Sequence, residues 1–92
     1  MKESYLENKL RLSVKKLGGI ALKFVSPGVD SVPDRLVLLK GRVWFVEMKA
    51  PGKTPTPKQL IRHDQLRGLG FKVLAINSNE ELQNFLNELQ SV

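Results

Sequence analysis

The chain has 92 residues, which gives room for one modest hydrophobic core, and a single domain spanning 1–92 is expected. Its hydrophobic share of 41% and charged share of 26% sit near globular averages, which argues against a disordered chain, a collagen-like repeat and a coiled-coil rod. Zero cysteines exclude disulfides, thiolate zinc sites, iron–sulfur clusters and cysteine nucleophiles, and the single histidine, His63, excludes chemistry that needs two. The formal charge is +6, and all 15 basic residues fall within 1–72, so that part of the chain is where an anionic partner would bind. The apolar runs 36–39 and 43–46 are far shorter than the ~18 residues a membrane span needs. The first residues carry charges where a signal peptide would be apolar, so a cytoplasmic location is expected.

In chain order, Leu6, Leu10, Val14 and Leu17 recur at helical spacing, and Gly18-Gly19 follows where a helix C-cap belongs, which predicts a helix over 2–17. Residues 20–26 alternate Ile20, Leu22 and Phe24 against Ala21, Lys23 and Val25, the pattern of a strand ended by Pro27-Gly28. A turn-rich loop leads to Val32. Two β-rich runs, 35–39 and 42–49, are joined by Lys40-Gly41, a connection short enough for a tight antiparallel hairpin. After a Gly/Pro/Lys loop, Thr56-Pro57-Lys58-Gln59 supplies an N-cap, a proline at the first helical position and a capping-box glutamine, opening a helix that runs to about Leu69. Gly70 ends it, 71–76 is a compact apolar strand, and Ser78-Asn79-Glu80-Glu81 opens a last helix with Leu82, Phe85, Leu86 and Leu89 inward. The order α-β-β-β-α-β-α predicts an α/β fold, a mixed sheet flanked by helices, because the helix before the last strand permits a crossover connection.

Strand alternation places Val43, Phe45, Glu47 and Lys49 on one face and Arg42, Trp44, Val46 and Met48 on the other. A carboxylate and an amine thus continue a hydrophobic face, where either a salt bridge at a frayed strand end or a functional site would account for them. Counting back across the hairpin brings Asp34 opposite the neighbourhood of Glu47. Two carboxylates and a lysine converge, and an oxygen-seeking divalent cation, Mg²⁺ or Mn²⁺, is the usual compensation for such crowding. Lys49 beside that cation would orient or deprotonate a water.

Pro33-Asp34 followed after twelve residues by Glu47-Met48-Lys49 resembles the PD-(D/E)XK nuclease motif. The longer string Val32-Pro33-Asp34-Arg35-Leu36-Val37, then 46–53 (Val-Glu-Met-Lys-Ala-Pro-Gly-Lys), then Thr56-Pro57-Lys58-Gln59, resembles the VRR-NUC branch, including its stand-alone phage versions. The resemblance spans nearly the whole chain and implies a restriction-endonuclease-like core. It also implies that Asp34, Glu47 and the Met48 backbone carbonyl hold the metal, that Lys49 positions the attacking water, and that Gln59 lies near the site. A glutamate from the first helix often joins the metal shell in that family, which points to Glu7, with Glu3 as the alternative. The chain departs from the family where relatives often approach the proline through glycines: here 28–32 reads Gly-Val-Asp-Ser-Val.

Structural explanations stand beside several of these roles. Glu7 with Arg11 is an i,i+4 helix pair, Gln59 is accounted for by capping, and Lys53 and Lys58 either meet a DNA phosphate or only solubilise a loop. His63, one turn beyond Gln59, is expected as a solvated surface histidine, with a phosphate contact as the second reading. Trp44 and Tyr5 are expected to pack. The activity expected is metal-dependent endonucleolytic hydrolysis of DNA, with basic residues gripping the backbone without reading bases. Symmetric cutting of two strands needs two active sites, which a homodimer supplies, and the resemblance implies a structure-selective enzyme acting on four-way or other branched DNA. The competing readings are a non-catalytic DNA-binding module and an interaction subunit of a larger complex.

Overall fold

The computed structural model describes the backbone of residues 2–92 and the side chains of residues 5–92. Helix α1 (Lys2–Lys16) buries Leu6, Leu10 and Val14, spaced four apart on one stripe. It ends in a paired bond pattern in which the Gly18 N–H donates to the Lys15 carbonyl and the Gly19 N–H to the Val14 carbonyl, with Gly18 at φ 95°. Gly19 then lies so close to the sheet that a Cβ there would stand 2.5 Å from the Leu38 carbonyl oxygen. Only glycine lets the helix turn into its strand at this separation.

Strands β1 (Ile20–Lys23), β2 (Arg35–Leu39), β3 (Arg42–Met48) and β4 (Lys72–Ile76) form one sheet in the order β1-β2-β3-β4. The first two pairings are antiparallel and β3–β4 is parallel, reached through α2 (Pro57–Gly68); α3 (Asn79–Gln90) follows. The expected order α-β-β-β-α-β-α and the mixed sheet are therefore as observed. Lys40 and Gly41 both have positive φ, 51° and 77°, the turn whose twist matches a two-residue hairpin. Thr56 caps α2 with the full capping box, and Ser78 caps α3.

One face of the sheet, carrying Val37, Leu39, Trp44, Val46, Met48 and Ile76, packs against α1 and α3 to make the core. The opposite face is covered only in part. Phe45 stacks edge-on against Phe71 and tilted against Phe24, while α2 packs against β4. The strand read over 20–26 stops at Lys23, although the Phe24 N–H still donates to the Asp34 carbonyl. Ile20 and Leu22, 50% and 41% exposed, lie on the open face, because small Ala21 is the residue that fits under α1. Tyr5, expected to pack, is exposed, whereas Trp44 is buried against Phe85 and donates its indole N–H to Glu88. Among the described residues no helix is long and apolar enough to cross a membrane.

Candidate active site

The hairpin ladder pairs Arg35 with Val46, so the next step outward sets Asp34 against Glu47 at the end of the strands remote from the turn. Residues opposite each other share a face, so both carboxylates lie on the sheet face opposite the core. A backbone bond fixes the first of them: the Met48 N–H donates to Asp34 Oδ1 at 2.9 Å. The Lys49 N–H donates to the Ile76 carbonyl at 2.9 Å, which carries β3 one residue past its last ladder pair and keeps Lys49 on the Glu47 face. The sequence therefore brings Asp34, Glu47 and Lys49 to one place through a two-residue turn and strand alternation.

Glu47 is a buried carboxylate, its side chain 5% exposed, and His63 of α2 stands over it with Nε2 3.4 Å from Glu47 Oε1. His63 is itself 1% exposed, which corrects the expectation of a solvated histidine in reach of a phosphate. The helix places Gln59 and His63 one turn apart, but α2 lies with its His63 side against the sheet, so the ring points inward. Burial, and then the Arg67 charge, push the His63 imidazole below its ordinary value; Asp64 opposes them and Lys49 adds to them.

No protein-family model matches the chain. A curated relative, "Putative nuclease p44" of Acyrthosiphon pisum secondary endosymbiont phage 1, is 51% identical over 81 residues, 87% of each chain. A solved structure described as a VRR_NUC domain superposes with a TM-score of 0.89 at 30% identity, covering 95% of this chain and 96% of its own. The chain belongs to the VRR-NUC family.

The other positions that the VRR-NUC resemblance nominates are placed as follows. Gln59 is held by capping, its Oε1 accepting from the Thr56 N–H at 2.9 Å and its own N–H donating to Thr56 Oγ1. Glu7 turns to Arg35, 3.7 Å from its Nη2, rather than to Arg11, and among the described residues no group of three His, Asp or Glu side chains forms a metal cage. The side chain of Glu3 lies outside the described residues. Lys58 is 71% exposed and bonds Asp30 Oδ2 at 2.9 Å, a contact that holds the Asp30 carboxyl below its ordinary value; Arg62 adds a bond to the Asp30 carbonyl. These two residues pin the loop before Asp34 onto α2. In that loop Ser31 takes φ 63°, a left-handed conformation that glycine adopts without strain.

Three residues around this VRR-NUC site escape sequence reasoning. His63 was visible, but its burial was not. Asn77 follows β4 and donates from Nδ2 to the Lys53 carbonyl at 2.7 Å, while its carbonyl accepts from the Gly52 N–H, so it staples the Gly/Pro/Lys loop to the sheet end. Arg35, beside Asp34 in sequence, turns to the other face, where it is buried, bonds the Ala21 carbonyl and finds no partner for Nε among the described residues. No sequence signal marks Asn77 or Arg35; each acts through a backbone carbonyl distant in the chain.

Proposed function

We propose that this protein is a metal-dependent DNA endonuclease, and the observation that carries the reading is the Asp34 carboxylate, fixed by the Met48 N–H, facing buried Glu47 beside Lys49. The donor set suits a hard cation. Mg²⁺ and Mn²⁺ take one or two protein carboxylates and complete their shell with water and phosphate oxygen, so a three-carboxylate cage is not required. In an extended strand the N–H and C=O of one residue point to the same edge, so the Met48 carbonyl is directed to the side from which Asp34 is held. Asp34, Glu47 and that carbonyl are the ligands proposed, with Glu7 outside the set because Arg35 engages it.

When bound, the cation polarises the scissile phosphate and makes water a stronger nucleophile. Lys49 orients that water with its ammonium group and offsets charge gathering on the phosphate. Gln59 serves first as the cap that fixes the start of α2, and Lys53 and Lys58 at the rim meet backbone phosphates. The relative described as a nuclease supports this activity for the present chain.

Branched DNA, with the four-way junction as leading candidate, is the proposed substrate, and a homodimer supplies one site per strand. A second copy is the occupant proposed for the open sheet face. Trp44 and the α3 leucines are buried, which leaves Ile20, Leu22, Val43 and Phe71 as an exposed patch. Its apolar centre, bordered by Arg11, Lys15 and Lys23 beside Ile20 and Leu22 and by Arg42 and Lys72 beside Val43 and Phe71, is the surface that a second copy would cover.

The deciding experiment is cleavage of labelled four-way, flap, linear duplex and single-stranded DNA with Mg²⁺, Mn²⁺ or EDTA, beside Glu47→Ala and Lys49→Ala. Metal-dependent cutting by the wild type alone is expected, with paired nicks in the four-way substrate. Absence of cutting on all substrates, with salt-sensitive binding unchanged in both variants, would replace the enzyme by a DNA-binding module.

A further inference from the structure

His63 is the one residue of α2 buried against the sheet, and its Nε2 meets Glu47 Oε1. A buried imidazole could satisfy itself against a backbone carbonyl; here Nε2 is directed at Glu47 Oε1, on the carboxylate of the ExK segment. An ionised carboxylate only accepts, so this contact is attractive only with the proton on Nε2. The 3.4 Å separation is at the long end for a hydrogen bond.

Asp34 and Glu47 are oriented by different means. Asp34 is held by a backbone N–H on the neighbouring strand, which costs the sequence nothing beyond the hairpin. Glu47 points away from the core face into the space under α2, and a carboxylate two bonds beyond Cβ has torsions that the strand does not fix. The His63 contact acts on those torsions.

We propose that His63 is a positioning residue for the reaction: its Nε2–H donates to Glu47 Oε1 and holds that carboxylate in the rotation in which it takes a divalent cation. The inference rests on the reading of Glu47 as a cation ligand. Hydrogen bonds of this kind, one step behind a metal ligand, change affinity by about 10–100-fold when removed. The same contact ties α2 to the site, so the helix that begins at the Thr56 cap sets the geometry of a residue on β3.

The test uses the full chain without DNA and measures Mn²⁺ binding by electron paramagnetic resonance, with unfolding midpoints recorded beside it. His63→Leu, which fills the space without a donor, is expected to weaken Mn²⁺ binding on the order of 10-fold or more, and His63→Gln, which restores a donor, to recover most of that loss. Glu47→Gln separates the two readings. If Glu47→Gln binds Mn²⁺ as the wild type does, the metal reading of Glu47 fails and this inference falls with it. If Glu47→Gln abolishes binding while His63→Leu binds normally, only the role of His63 is overturned.

Should His63→Leu fail to fold, the wild type decides. The chain has one histidine, so its imidazole nitrogens give a single unambiguous set of NMR correlations. A proton on Nε2 and a shift of those correlations on adding Mg²⁺ are expected; a proton on Nδ1 alone, or no response to Mg²⁺, overturns the proposal.

Discussion

Asp34 performs two tasks that a pair of substitutions separates. Its Oδ1 accepts the Met48 N–H, and its charge faces Glu47. Asp34→Asn keeps an acceptor for the amide but removes the charge, so the fold should stand while cleavage drops by two orders of magnitude or more. Asp34→Ala should add a stability loss of about 1–2 kcal/mol in urea unfolding, because the Met48 N–H is left without its acceptor. Ser31 offers the reverse case. Left-handed backbone costs a non-glycine residue about 1–2 kcal/mol, part of which glycine returns as unfolded-chain entropy. Ser31→Gly should therefore raise stability by about 0.5–1 kcal/mol, measured as a higher urea midpoint with the same slope. At this scale the sequence is legible where a residue's role follows from strand alternation, as for Asp34, Glu47 and Lys49. It is opaque where the role depends on how a helix is rotated about its own axis. His63 and Gln59 share a helical face, yet one is buried over Glu47 and the other lies at the exposed cap.

Among the elements, the hairpin and the starts of α2 and α3 were legible because each has a local chemical cause: Lys40-Gly41 at positive φ, the Thr56 capping box and the Ser78 cap. The inner face of β1 was not. Alternation groups Ile20 with Leu22 but does not say which set lies under α1, and the tight passage at Gly19 decides in favour of Ala21. That passage is a test of its own. In Gly19→Ala the new methyl would meet the Leu38 carbonyl, a backbone atom that cannot swing aside, so α1 must lift from the sheet. A loss of about 2–3 kcal/mol is expected from urea unfolding, while Gly28→Ala, with open space around it, should cost well under 1 kcal/mol.

For the whole molecule, basic side chains border the exposed apolar surface: Arg11 and Lys15 line a groove with Ile20 and Leu22, and Arg42 and Lys72 line another with Val43 and Phe71. Lys9, Arg11, Lys15 and Lys16 crowd onto α1, while the open sheet face presents Ile20, Leu22, Val43 and Phe71. Charge bias was readable from composition, but the apolar patch was not, since the same residues would have served equally as core. The double variant Leu22→Lys, Phe71→Lys should shift the mass in sedimentation equilibrium from dimer to monomer without lowering the unfolding midpoint by more than a few degrees. An unchanged mass would remove this face as the dimer surface.

The turn at Lys40-Gly41 also imposes arithmetic on the motif. Partners across a two-residue turn are separated by the turn plus equal lengths of strand, so the number of intervening residues is always even, and twelve stand between Asp34 and Glu47. Lengthening the hairpin by one residue on each strand preserves their encounter; inserting a single residue after Gly41 does not, unless a bulge absorbs it. Parity in that interval is therefore inherited with the site, and a relative with an odd count should carry a three-residue turn or a bulge in the same hairpin.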